Sequence, residues 1–292
     1  MDERAALRLL ADDLPDAGDD AAVVDGQVVT TDMLHETTDF PPGTTRYTAG
    51  WRAVGASLSD VAAMGARATA TVAVYAAPAF DADELRDFVA GARDVSEAVG
   101  ARYVGGDLDT LSEFSATTTA LGLTDDPVRR SGARPGDVCC VTGTLGRSGA
   151  ALRLFERGDH DRANDLFQFE PRVAAGRALA PHATAMMDSS DGLARSVHQL
   201  AEASDCGFAL DEDAIPVAES VREVAEDDEA KRQLSTFFGE DFELVLTVPE
   251  DAVSDAKAAS PVPLTPVGEV TESGVRMDGD PLPDRGYTHG QE

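Results

Sequence analysis

Apolar residues recur every three or four positions through residues 44–65, where Tyr47, Trp51, Val54, Leu58 and Val61 share a face, and this spacing predicts a helix. Ahead of it, "AAVVDGQVVTTD" alternates and turns at Asp25-Gly26, which reads as strand, tight turn, strand. A charged helix is expected over residues 2–12. "TATVAVYAA" (69–77) reads as a buried strand, with Arg67-Ala68 before it as loop. "DADELRDFVAGARDVSEAVG" is amphipathic, with Asp81 as cap and Gly100 as stop. "ARYVGGD" and "EFSATTTALGLT" supply two more strands.

The order hairpin, helix, strand, helix, strand, strand predicts an α+β unit whose helices cover one face of a mixed sheet. "DDPVRRSGARPGD" (125–137) is rich in turn formers and reads as a connector. A second set follows: strand "VCCVTG", a glycine turn, a helix from about 147, and helices near 173–180 and 191–203 flanking strand "ATAMMD". Strand "GFAL", a helix around 216–227, strand "FELVLTV" and the closing "PLTPVGEV" complete it. The expected fold class is α/β in two domains, residues 1–135 and 136–292.

Charge narrows the functional classes. The chain carries 54 acidic against 24 basic residues, a net charge of −30, and Lys231 and Lys257 are its only lysines. Neutralising nucleic-acid phosphates or anionic lipid needs clustered cations, so neither partner is expected. The acid is spread among apolar runs, as suits a very salty cytosol where salt screens the repulsion. No run approaches ~18 apolar residues, so no membrane span is expected, and the charged start argues against a signal peptide. Cys139 and Cys140 are neighbours that point to opposite faces of a strand, and no Cys/His spacing suggests zinc. The reading is a reduced, cytoplasmic protein of enzyme size.

Most acids here decorate solvated faces, such as Asp83, Glu84 and Asp87. A second set lies at strand ends, helix starts or apolar elements beside Gly, Ser or Thr. Asp19 and Asp20 enter the first strand; Asp32 leaves the second behind Thr30 and Thr31. Asp60 follows Ser59 in an apolar helix, Asp107 follows two glycines, Asp188 ends a strand, and Asp191 opens the next helix. Small neighbours permit close approach, hydroxyls add oxygen ligands, and oxygen-only donors favour Mg²⁺ over zinc or copper. Converging carboxylates repel one another, so several Mg²⁺ ions bridged by a polyphosphate are the natural countercharge.

The loop "TGTLGRSGAALRLF" (142–155) leaves a strand and enters a helix, where free N–H groups can hold an anion or simply form a connection. It is neither a Walker motif nor a dinucleotide fingerprint. Arg130 lies in the connector, with the fork geometry that suits phosphate. Glu240 and Asp241 precede a strand, as a cap or a ligand-facing turn.

Seven ordered strings, "GDDAAV", "TTDML", "SLSDVAAMGA", "VGGD", "RSGARPGDVCCVTGTLG", "MMDSSDGL" and "GEDFEL", span residues 18–248, and "RGY" continues them. Together they resemble the thiamine-monophosphate kinases, of the superfamily that includes aminoimidazole ribonucleotide synthetase, selenophosphate synthetase and a hydrogenase maturation protein. The resemblance implies two α/β domains with ATP between them and a homodimer through the N-terminal domains. It implies γ-phosphoryl transfer from ATP to thiamine monophosphate. Asp20, Thr30, Thr31, Asp32, Asp60, Asp107, Asp188 and Asp191 fall on its magnesium positions, with Asp32 and Asp107 acting catalytically through metal. Gly106, Asp107, Arg130 and Ser190 fall on nucleotide positions, and Glu240 and Tyr287 on the thiamine side. Asp39 stands where the family usually has a substrate-binding histidine, which passes that contact to a metal or to His35. The alternatives are ATP-dependent activation of another small substrate, or a non-catalytic Mg-nucleotide-binding protein.

Overall fold

A computed structural model of the chain describes residue 14 and residues 17–286; the helix expected over 2–12 and Tyr287 lie outside the described residues. The first unit runs β1 (Ala22–Val24), β2 (Gln27–His35), the single turn α1 (Glu36–Asp39), α2 (Arg46–Ala63), β3 (Arg67–Ala77), α3 (Ala82–Ala98), β4 (Arg102–Thr110) and β5 (Ser115–Leu123). Its five strands are ordered β1-β2-β5-β3-β4, antiparallel except for the β3–β4 pair that α3 connects. Arg67 and Ala68 belong to β3 and pair with Leu123 and Gly122, so the loop expected there is strand.

The second unit runs β6 (Asp137–Thr142), α4 (Arg147–Glu156), α5 (His160–Phe167), α6 (Val173–Leu179), β7 (Ala185–Asp188), α7 (Leu193–Ser204) and β8 (Gly207–Leu210). Then come α8 (Glu219–Val224), α9 (Asp228–Arg232), a π-helical turn over Gln233–Phe237, β9 (Leu244–Pro249), α10 (Val253–Ala259), β10 (Leu264–Thr271), β11 (Gly274–Met277) and β12 (Asp280–Pro281). Seven strands order as β12-β11-β8-β10-β6-β9-β7. The helix expected around 216–227 is cut at Val224, and a separate turn restarts at Asp228 with Asp227 capping it. Helices α5 and α10 and strands β11 and β12 lie outside the elements the sequence predicts, each too brief to show its period.

Helix α2 decides how the halves meet. It predicts one apolar face, yet 14 of its 18 residues are buried, because the first sheet and α3 cover one side and α6 and β7 the other. Glycines let α3 approach: a Cβ on Gly50 would sit 2.1 Å from the Phe88 carbonyl oxygen, and one on Gly91 2.0 Å from that of Tyr47. One core then runs from Val28, Leu58 and Met64 to Leu246 and Val248, joining both sheets without a gap. Burial of this kind contributes roughly 25 cal/mol per Å² of apolar surface, which holds the two units' strand ends against each other.

Candidate active site

The strand ends that face each other are those carrying the singled-out acids. Asp60 sits in the last turn of α2, Asp20 precedes β1, and Asp188 ends β7 of the other sheet. One carboxylate oxygen from each lies within 4.8 Å of the other two; Asp20 and Asp188 are buried and Asp60 is half-buried. Thr30 donates its hydroxyl to Asp60, and Ser57 donates to Asp32 at 2.7 Å. Arg130 is the cation at this cluster, and its fork is taken up by Asp20, with Nε–Oδ2 at 3.1 Å and Nη2–Oδ1 at 3.0 Å. Asp19 accepts the Arg130 backbone N–H at 3.1 Å.

This charge is not balanced within the chain. Among the described residues neither buried carboxylate oxygen of Asp188 has a hydrogen-bond partner of good geometry, with only the Ser59 hydroxyl nearby to favour its charge. Burial, then the neighbouring Asp20, pushes the Asp188 carboxyl up to about 7. Burial and the charges of Asp32, Asp188 and Asp20 hold Asp60 well above the ordinary carboxylate range. Asp32 is raised by burial against the bond from Ser57, and Asp19 by burial and then Asp20. For Arg130 burial works to lower the pKa, but the Asp20 carboxylate overrides it and the net shift is upward. Three converging acids with one orphaned carboxylate form an oxygen-only donor set that suits a hard divalent cation.

Two expected members do not join. Alternation along β2 places Thr30, Asp32 and Leu34 toward α2, and Thr31, Met33 and His35 on the other face. The Thr31 hydroxyl accordingly donates to the Thr118 carbonyl at 2.8 Å, and the His35 ring bonds Ser115 Oγ at 2.9 Å on the same face. Asp107 is exposed on edge strand β4 and caps its neighbour's N–H, that of Leu108, at 2.9 Å. The register explains this. Asp32, Thr118, Ala73 and Gly106 form one row, while Met33, Thr117, Val74 and Asp107 form the next, which faces away from α2.

Gly106 is required where it stands, since a Cβ there would lie 1.6 Å from the Ala73 carbonyl oxygen. Beside it a cavity of ≈ 390 Å³ opens between β4 and α3, lined by Tyr75, Phe88, Tyr103, Gly106 and Asp107. Asp39 is buried and turned inward: its Oδ2 accepts the His35 N–H at 2.7 Å and the Thr38 hydroxyl at 2.8 Å.

The other side of the cluster is closed by residues 188–191 and 239–243. Ser190 accepts the Glu240 N–H through its carbonyl at 2.6 Å, the Phe242 N–H reaches the Ser189 carbonyl at 3.2 Å, and Asp191 follows half-buried. The glycine turn before α4 is not open to a ligand. Asp241 already fills it, accepting the backbone N–H groups of Gly146 and Ser148, the latter at 2.9 Å. Of the two readings of this loop, the plain connection fits, with the chain's own Asp241 carboxyl group closing the helix start.

Comparison with known proteins agrees with this layout. Residues 18–124 match the family described as AIR synthase related protein, N-terminal domain, and residues 134–278 match its C-terminal domain. A thiamine-monophosphate kinase from Halobacterium salinarum is 64% identical over 99% of this chain and 100% of its own length. One from Methanospirillum hungatei is 38% identical, covering 99% of both chains. Among solved structures, "AaThiL complexed with AMPPCP and TMP" superposes with a TM-score of 0.89 at 26% identity, over 99% of this chain and 97% of the other. The thiamine-monophosphate kinase from Stenotrophomonas maltophilia gives 0.80 at 30% identity, over 94% and 95%. The chain belongs to the thiamine-monophosphate kinase family, within the AIR synthase-related proteins.

Proposed function

We propose that this protein transfers the γ-phosphoryl group of ATP to the phosphate of thiamine monophosphate, yielding thiamine diphosphate. The observation that carries this reading is the orphaned Asp188 carboxylate meeting Asp20 and Asp60 across the two sheets, in a chain 64% identical to a protein of that name. Incubation with ATP, Mg²⁺ and thiamine monophosphate in concentrated potassium salt tests it: thiamine diphosphate and ADP should appear together. ATP loss without thiamine diphosphate would redirect the assignment to another acceptor.

The donor set fits Mg²⁺, which Asp20, Asp60 and Asp188 would hold, with Thr30 and Asp32 beside Asp60. Bound there, it supplies countercharge to the phosphates of donor and acceptor. The chain's own residues do the rest. Arg130 fixes the Asp20 carboxylate by its fork, and Ser57 and Thr30 fix those of Asp32 and Asp60. The acceptor phosphate oxygen is anionic at neutral pH, so no general base is needed and alignment dominates. The cavity beside Gly106, walled by Tyr75, Phe88 and Tyr103, suits a planar base.

The active form is a homodimer through the first sheet. Its outward face carries Met33, Leu121 and Leu123, each 39–49% exposed, in the same layer as Thr31 and Asp107. Joining two such faces buries these apolar groups and sets Asp107 of one copy toward the site of the other. The unit boundary lies near residue 135. Among the described residues no helix is long and apolar enough to cross a membrane, and Cys139, Cys140 and Cys206 are free, which supports a cytoplasmic setting.

A further inference from the structure

We infer that Arg52 is a positioning residue that fixes Glu240 for the thiamine end of the substrate, and that α2 sets the distance between the two ends of the site. This rests on the kinase reading above, in which Glu240 lies on the thiamine side.

Arg52 is 1% exposed, in the middle of α2, and its guanidinium crosses from the first unit into the second. Nη1 donates to the Phe167 carbonyl at 2.8 Å and to Ser148 Oγ at 3.3 Å. Nη2 donates twice to Glu240, at 3.1 Å to its carbonyl and at 2.8 Å to Oε2. The guanidinium lies 3.6 Å over the Phe167 ring, which fixes the plane of the fork. A fully buried cation is expensive to desolvate, and here Glu240 is the partner that offsets it.

Glu240 has reason to need a clamp. It sits at φ +66° and Phe242 at φ +54°, left-handed conformations that non-glycine residues rarely adopt. A left-handed backbone at a non-glycine residue costs energy that the surrounding contacts must offset. Arg52 holds both ends of the residue, carbonyl and carboxylate, while Oε1 accepts no hydrogen bond from the described residues. An oxygen held in place and left open is suited to the amino group or cationic ring of a thiamine.

Asp60, on the same helix, faces the phosphate end. Eight residues separate it from Arg52, about 12 Å of rise at 1.5 Å per residue. One rigid element therefore carries a metal-side acid and the clamp of the thiamine-side acid.

The test compares Arg52→Lys, Arg52→Met, Glu240→Gln and the double variant Arg52→Met/Glu240→Gln in the full-length enzyme. KM for thiamine monophosphate, KM for ATP and thermal melting are measured for each. A lysine keeps the charge but cannot span Phe167, Ser148 and Glu240 together. Arg52→Lys should raise KM for thiamine monophosphate about tenfold, the order expected for a charge-assisted hydrogen bond, and leave KM for ATP within about twofold. Arg52→Met and Glu240→Gln should shift the same constant, and the double variant should be no worse than the poorer single one. Equal rises in both KM values, additive losses, or lowered melting with unchanged KM would each overturn the clamp. Calorimetric titration of thiamine monophosphate separates the two levels. If the wild type fails to bind it, the kinase reading falls; if the wild type and Arg52→Lys bind it equally, only the clamp falls.

Discussion

A carboxylate oxygen of Asp60, from the helix between the sheets, lies within 4.8 Å of one from Asp188, at the end of a strand in the second sheet. The Arg130 fork is taken up by Asp20, and among the described residues neither oxygen of Asp188 has a hydrogen-bond partner. The two units are thus held together by apolar packing at a place where their charges oppose it.

Asp188→Asn should remove that opposition. In chelator the variant should melt higher than the wild type, by an amount on the order of 1–3 kcal/mol in stability, because the neutral amide ends the repulsion from Asp20 and the cost of burying a charge. Added Mg²⁺ should raise the melting temperature of the wild type and not of the variant, and turnover should be lost. A variant that melts lower in chelator would mean that the carboxylate is already compensated.

Asp32→Asn and Asp107→Asn should each abolish turnover with little change in folding. They should differ in one respect. Asp107 stands on the outward face, so mixing Asp107→Asn with Asp188→Asn subunits should restore part of the activity, since one site in the mixed dimer is intact. Leu121→Asp should yield inactive, folded monomers, read by sedimentation. No recovery on mixing, with mixed dimers demonstrated, would place Asp107 in its own subunit's site.

Asp241 gives a pH dependence of known sign. Burial pushes its carboxyl up to about 7, against the N–H groups of Gly146 and Ser148. The folded state therefore holds this proton more tightly than the unfolded chain. The resulting stabilisation is complete below about pH 4 and is lost as the pH rises through 7. Asp241→Asn should flatten the fall in unfolding free energy between pH 5 and 8, by about 2–4 kcal/mol over the window. An unchanged slope would show that Asp241 is ionised throughout.

A chain with a net charge of −30 should depend on salt. The Debye length falls from about 10 Å at 0.1 M to about 3 Å at 1 M, shorter than most spacings between surface charges. Melting temperature should climb steadily with KCl across that range and beyond. A flat response would remove repulsion as a determinant of stability.

Much of this layout was legible in the sequence. The seven motifs carried the family, and the strand ends "GDD" and "MMD" and the apolar helix bearing Asp60 named the acids that meet. Some of the remainder was also within reach. Thr31 is adjacent to Asp32 and Asp107 to Gly106, and a period of two sends neighbours to opposite faces, so their separation from the cluster follows once they are strand residues. Arg52 carried a signal too, as a cation in the interior of a helix whose only other one, Arg46, stands at its start, although nothing in the string links it to Glu240.

Local spacing by itself determined most of the longer elements, their order and which positions carry acid, because helix and strand periods are properties of adjacent residues. Tertiary structure alone decided the rest. That Asp20, Asp60 and Asp188 share one cluster, that Asp241 closes the turn before α4, and that Arg52 grips Glu240 across 188 residues of chain are all results of two sheets packing on opposite sides of one helix. Such contacts are chosen by burial of whole surfaces, and no window of sequence contains both partners.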